Sequence, residues 1–208
     1  MLSNGDRFNL ESLRASIAPY HKRLEQSHRA RALMSSDVTL DDVVGFYRSL
    51  STVFAPVIKG WRLSNGEISH YASEKIKELS VWVGSDWPFE GVEAYVVKNQ
   101  LDDLSFRYVV LGSELGQQSV HKHLASHNLI DDQYFCRSRE VAIPLFRSVL
   151  KRISTLSDGD TRLLATKIGR IFDEISCVMC EEGPTVSAPF NDFVEEKSSN
   201  VERKARLV

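Results

Sequence analysis

The sequence lacks several features that would place it in a specialised class of protein. No apolar run approaches the roughly 18 residues needed to cross a membrane. The opening stretch MLSNGDRFNL lacks the basic and then apolar layout of a secretory signal. The net charge is −2, so no basic field is present for nucleic acid. Three cysteines in 208 residues are too few for a disulfide framework. We therefore expect a cytoplasmic protein with no membrane span and no nucleic-acid partner.

Regular strand-and-turn spacing is also missing, whereas apolar residues recur at helical spacing through most of the chain. We therefore predict an all-α fold, with a single domain of about six to eight helices over residues 1–183. Residues 184–208 contain proline, serine and mixed charges with little periodicity, and we predict a flexible tail there.

Several helix ends can be predicted from local chemistry. Thr39 and Asp42 have the spacing of a capping box, with aspartate in place of the usual glutamate. Asp158 or Asp160 is expected to cap the last helix. Pro19 interrupts the apolar stripe of the first helix and predicts a bend or a restart there.

The first helix places a histidine beside a carboxylate at the edge of its apolar stripe. At 100° per residue, Arg14, His21 and Glu25 fall within about 40° of one another. A glutamate one turn after a histidine can hold one ring nitrogen by hydrogen bonding, which leaves the other free for a metal. A boundary histidine that serves only packing is the simpler interpretation of this helix alone.

A second helical stretch, VVLGSELGQQSV, contains Gly112 and Gly116 four residues apart. Each glycine costs roughly 1 kcal/mol relative to alanine inside a helix. Such a bare face indicates that something bulky lies against it, either another helix or a ligand. Together with the His21 stripe, it suggests a flat ligand such as haem (heme) between two helices.

These segments resemble those of haem oxygenases of the bacterial, biliverdin-producing type. LRASIAPYHKRLE resembles the proximal helix of that family, and VLGSELGQQ resembles its distal helix. DVTLDDVVGFYRSLSTVF resembles the second helix, and LFRSVLKRISTL followed by LLATKIGRIFDEI resembles the two C-terminal helices. The similarity spans roughly residues 10 to 180 in the family's order.

The resemblance implies a haem-degrading monooxygenase that cleaves haem with O₂ and reducing equivalents to biliverdin, CO and iron. Haem would be both cofactor and substrate, and a separate ferredoxin or flavin reductase would donate the electrons. His21 would be the iron ligand, with Glu25 as its hydrogen-bonding support. The haem propionates would be held by Arg14, Arg147 and Lys151.

The resemblance also assigns the opposite, distal side of the haem. Gly112 and Gly116 would lie over the distal face, with Ser113 near ordered water. The family commonly has a small residue after the second glycine, whereas this chain has Gln117. That departure puts turnover and regioselectivity in question more than it does haem binding.

Two alternative functions remain open at this stage. Gln117 motivates a haem carrier or sensor that binds haem without degrading it. A helical interaction module without haem would instead use Gly112 and Gly116 to let two helices pack closely. Other groupings are interpreted as structural: Cys177 and Cys180 as core packing, and His123 with His127 as a solvated helix end rather than a surface metal site.

Overall fold

The fold is helical throughout the part of the chain that can be described. A computed structural model describes residues 4–83, 103–130 and 136–180, and all regular structure in those ranges is helix. The all-α prediction is therefore confirmed, whereas the predicted tail at 184–208 lies outside the described residues. The described helices are α1 (Asn4–Glu25), α2 (His28–Leu33), α3 (Leu40–Arg62), α4 (Glu67–Val83), α5 (Asp103–Ser126), α6 (Cys136–Ser154) and α7 (Asp158–Cys180).

The hydropathy of these helices is that of a packed bundle rather than of membrane spans. Of the seven described helices, none combines the length and apolar character that a bilayer crossing requires. Their buried faces form one core that includes Leu13, Val43, Phe54, Leu79 and Ile168. The stripe predicted for α1 faces this core, with Leu13 fully buried.

Helix ends follow the predicted capping chemistry in one case and depart from it in another. The Thr39 side chain accepts a hydrogen bond from the Asp42 backbone N–H, and Asp42 accepts one from the Thr39 N–H at 2.9 Å. The predicted aspartate cap of α7 is wrong. Ser157 caps that helix by accepting from the Asp160 backbone N–H at 3.2 Å, because Asp160 already lies in its first turn.

Pro19 does not divide α1, which continues from Asn4 to Glu25. A proline removes one backbone donor and leaves a carbonyl without its usual partner one turn earlier. Here both Ala15 and Pro19 are exposed, so water can satisfy that carbonyl. The expectation of a restart at this position is therefore not met.

The α1–α7 seam is one of the closest helix contacts in the protein. A Cβ atom added to Gly169 of α7 would meet the Tyr20 ring of α1 at 2.8 Å. The absence of a side chain at Gly169 is therefore what lets the tyrosine ring approach α7 so closely. Arg23 reinforces the seam through an ion pair with Asp173, at 2.6 Å.

The same bundle leaves a gap between two of its helices. Both α1 and α5 pack against α6 and α7, but they are not among the helix pairs that pack closely with each other. The space between them is closed by α2 and α3 on other sides. This arrangement produces the cavity described next.

Candidate functional site

A cavity of about 620 Å³ lies between α1 and α5. Its volume falls within the roughly 300–1,000 Å³ typical of small-molecule sites. The wall is largely apolar, and the polar side chains are concentrated on α1 and α5. The apolar lining includes Ile17, Leu24, Phe46, Leu50, Phe172 and Ile175.

The α1 wall carries a histidine and a glutamate paired through one nitrogen. His21 Nδ1 lies 3.2 Å from a Glu25 carboxylate oxygen, and both side chains are more than half exposed, at 56% and 65%. The His21 ring also packs edge-on against Phe172, with ring centroids 5.5 Å apart. A carboxylate beside Nδ1 favours the tautomer with the proton on that nitrogen. The Nε2 lone pair is then available to a metal.

Arg14 and Tyr108 connect the two walls across the cavity. Arg14 is exposed on α1, and it hydrogen-bonds to Tyr108 of α5. Burial raises the pKa of the Tyr108 phenol, and the Arg14 charge and hydrogen bond only partly oppose that shift. At neutral pH the pair therefore presents a guanidinium beside a neutral hydroxyl, which suits an anionic group such as a carboxylate.

The α5 wall contains two glycines among residues that carry side chains. A Cβ atom added at Gly116 would have no neighbour within 4 Å, whereas one at Gly112 would meet the Phe146 ring at 3.3 Å. Both glycines and Ser113 line the cavity, and the Ser113 hydroxyl donates to the Val110 carbonyl at 2.7 Å. At Gly116, therefore, the missing side chain leaves open volume rather than room for another helix.

Gln117 adds a polar group to this wall. Its side chain is only 6% exposed and contributes to the cavity lining. Its side-chain oxygen is buried and has no hydrogen-bond partner. Such a group costs about 1–3 kcal/mol when it is left unsatisfied.

The structure brings seven of the nine predicted site residues to one cavity and leaves two outside it. Arg147 and Lys151 are exposed on α6 and are absent from the cavity lining, although Phe146 of the same helix contributes to it. The seven that share the cavity are Arg14, His21, Glu25, Gly112, Ser113, Gly116 and Gln117.

A buried ionic network, not predicted from the sequence, lies on the other side of α5. Glu114, which sits between the two glycines along the chain, accepts from Lys75 Nζ at 2.7 Å and from the Tyr71 hydroxyl at 3.0 Å. Glu78 accepts from the Ser138 hydroxyl at 2.7 Å and lies 3.4 Å from Lys75 Nζ. All five side chains are almost fully buried. The network ties α4, α5 and α6 together.

Burial shapes the protonation of this network. It raises the pKa of Glu78, against the opposing charge of Lys75. It also raises the pKa values of Tyr71 and Tyr47, and the nearby carboxylates add to both shifts. For Lys75, burial alone would lower the pKa, but Glu114 and Glu78 outweigh it and the net shift is upward. Lys75 is therefore a firmly protonated cation within the core.

The other histidine and cysteine groupings noted in the sequence lie away from the His21 wall of the cavity. The His123 and His127 rings lie 4.5 Å apart, and His123 Nε2 lies 2.9 Å from the Ser35 carbonyl oxygen. Cys177 and Cys180 are both exposed, so the predicted core-packing role is wrong for them: they lie on the solvent side of α7. Within the described ranges, no three histidine, cysteine, aspartate or glutamate side chains are grouped to hold a metal ion.

Comparisons with other proteins identify no relative from which a function could be inferred. No family model, curated protein or solved structure matches this chain. Function is therefore inferred from the cavity, from the residues that line it and from the resemblance of the sequence segments.

Proposed function

We propose that this protein is a haem oxygenase with a haem oxygenase-like helical fold, and that the α1–α5 cavity binds haem. The observation that carries the proposal is the pairing of two features in one cavity. His21 offers a free Nε2 on one helix, and Gly116 offers open backbone on the other. A planar, largely apolar ligand with a metal at its centre has a use for both features.

The residues present fit such a group. A glycine that serves helix packing has a close neighbour, as Gly169 has in the Tyr20 ring at 2.8 Å. Gly116 has none, so it does not serve helix packing, and its place in the cavity lining favours a ligand. The apolar lining suits the porphyrin ring, and the buried Gln117 oxygen is a polar group in need of a partner.

Each polar residue then has a distinct role. His21 would ligate the iron through Nε2, while Glu25 holds the Nδ1 proton and fixes the ring orientation. Arg14, supported by Tyr108, would bind a propionate at the edge of the cavity. Arg147 and Lys151 lie outside the lining, so we assign neither of them a role in holding the propionates.

Haem, when bound, supplies the oxygen chemistry and is itself the substrate, with electrons from a separate ferredoxin or flavin reductase. The chain supplies binding, orientation and shielding. Gly112 and Gly116 keep side chains away from the face opposite His21, and the apolar lining limits access of bulk water to it.

A hemin titration followed by reductant under air tests the proposal. We expect a Soret band on binding that then decays into a biliverdin spectrum. His21→Ala should abolish or replace the axial ligand and change the Soret maximum, whereas His70→Ala, an exposed histidine on α4, should change neither. A wild-type protein that leaves the Soret band of free hemin unchanged would refute haem binding.

The open volume at Gly116 provides a second test with a matched control. Gly60 is likewise an exposed glycine inside a helix, with nothing within 4 Å of a Cβ atom added there, but it does not line the cavity. Gly116→Leu should lower hemin affinity at least about 100-fold, because a side chain of that size fills the ligand's volume. Gly60→Leu should leave the affinity unchanged.

A second candidate function is haem carriage or sensing without degradation. The observation that favours it is Gln117, which adds a buried polar side chain to the wall beside Gly116. Under this alternative the hemin complex forms normally but survives reductant and air unchanged. The same titration therefore separates the two functions.

A further inference from the structure

Gln117 is the polar group of the cavity whose hydrogen bonding is least complete. It is 6% exposed, it lines the cavity, and its side-chain oxygen is buried without a partner. Most buried polar side chains in proteins are satisfied, so an orphan of this kind calls for a physical reason. Its neighbour Gln118 provides a contrast, because it is exposed and accepts from Arg139 at 2.8 Å.

The space around Gln117 allows its side-chain carboxamide to rotate. The terminal torsion of a glutamine is broad, so rotation of the carboxamide is inexpensive. The volume beside Gly116, the preceding residue, is open. Ser113, one turn earlier on the same face, already donates its proton to Val110, which leaves its oxygen lone pairs available as an acceptor.

We propose that Gln117 is a ligand-responsive positioning residue: its carboxamide turns into the cavity when the ligand binds and holds a water molecule over the open backbone at Gly116. The water would donate to the Gln117 oxygen and to the Ser113 oxygen, and its own lone pairs would face the ligand. This gives a buried water about the three partners it usually needs. The inference rests on the proposed function, because it takes haem as the ligand.

The role has a consequence for the protein without ligand. There the carboxamide oxygen is unsatisfied, so an apolar side chain of similar shape is tolerated at that position. With the ligand bound, the same apolar side chain loses the hydrogen bond. A residue that served only packing would show no such dependence on the ligand.

Gln117→Met, with Gln118→Met as the matched control, tests this dependence. In urea unfolding without ligand, Gln117→Met should have a midpoint equal to or above that of the wild type. With hemin, its affinity should fall about 3- to 10-fold, the range expected for one hydrogen bond. Its Soret maximum should also differ from that of the wild type. Gln118→Met should match the wild type in hemin affinity and in the Soret maximum.

The failures can be told apart. If the wild type binds hemin and Gln117→Met matches Gln118→Met in affinity and spectrum, this inference is overturned and the proposed function stands. Loss of urea stability in Gln117→Met without ligand, with hemin affinity retained, would likewise show a structural role only. If the wild type does not bind hemin, the proposed function fails, and the inference fails with it.

Discussion

The two faces of α5 differ in how completely their polar groups and backbone are contacted by the rest of the bundle. On one face, Gly116 opens onto the cavity and Gln117 carries an unsatisfied oxygen. On the other face, Glu114 is fixed by an ammonium and two hydroxyls inside the core. One helix therefore separates a surface with incomplete contacts from a surface whose polar groups all have partners nearby.

The difference between the two faces shows how α5 can border a cavity on one side and still be held firmly in place. Bare backbone and an orphan polar atom contribute nothing to packing, so the helix must be fixed from elsewhere. Breaking a buried ion pair is costly, which makes Lys75 and Glu114 a strong determinant of where α5 lies. Local rules are violated on the cavity face, and the opposite face compensates.

Removal of the buried cation is expected to have the largest effect. Lys75→Met leaves Glu114 and Glu78 in the core without a counter-charge, which should lower the free energy of unfolding by about 3–5 kcal/mol. Lys77→Met is the matched control, because Lys77 is 70% exposed and its pair with Glu74 should contribute at most about 1 kcal/mol. Urea unfolding of both variants measures the difference.

If Lys75→Met proves too unstable to purify, Glu114→Gln keeps the shape and removes one charge. It should still lower the urea midpoint well below that of Lys77→Met. Equal midpoints for the core and surface variants would show that the network does not anchor α5.

Alkaline pH should lower the free energy of unfolding through the buried groups on the core side of α5. The folded-state pKa values of Tyr47, Tyr71 and Lys75 are raised, so each group binds its proton more tightly in the folded chain than in the unfolded one. Their contribution to stability is therefore complete below about pH 10, and it is lost as the pH rises from there towards the raised values. Urea midpoints measured from about pH 8 to about pH 11 should fall along this range.

The cause can be assigned with two tyrosine variants. Tyr71→Phe should lessen the steepness of the alkaline fall, whereas Tyr20→Phe, a partly exposed tyrosine of α1, should not. Identical pH profiles for the wild type and Tyr71→Phe would contradict the assignment.

The smallest expected effect is the difference in stability between alanine variants of Gly112 and Gly116. Gly116→Ala places a methyl group in open volume and should raise the free energy of unfolding by up to about 1 kcal/mol through helix propensity. Gly112→Ala places it 3.3 Å from the Phe146 ring, so part of that gain is lost to crowding. Urea unfolding without ligand should rank Gly116→Ala above Gly112→Ala, and the reverse order would mean that the open volume has been misplaced.

The helices and much of the cavity could be predicted because they depend on local patterns. Helical periodicity identified the fold class, and the spacing of Thr39 and Asp42 identified a helix start. The four-residue step from His21 to Glu25 is a property of any helix, and the structure has that contact. The expectation that α1 and α5 face each other rested on combining the His21 stripe with the Gly112 and Gly116 face, which periodicity alone does not supply.

The ionic network was missed because its members are far apart in the chain, although one signal was present. Lys75 falls on the apolar stripe of α4 with Tyr71, Leu79 and Trp82, all of them buried. A lysine on such a stripe requires a buried carboxylate, but the sequence does not say which one. Arg147 and Lys151 show a second limit of prediction from sequence. Their one-turn spacing places them on the same side of α6, but it does not determine whether that side faces the cavity, and neither residue lines it.

The contact between Tyr20 and Gly169 makes the histidine of the cavity sensitive to a position on a different helix. A methyl group at residue 169 would lie 2.8 Å from the tyrosine ring, so the ring must shift to admit it. His21 is the next residue of α1, and it moves too if the helix backbone shifts with the ring. In that case a substitution at residue 169, which does not line the cavity, changes the orientation of the His21 imidazole. The shape of the cavity would then differ although every residue of its lining is the same.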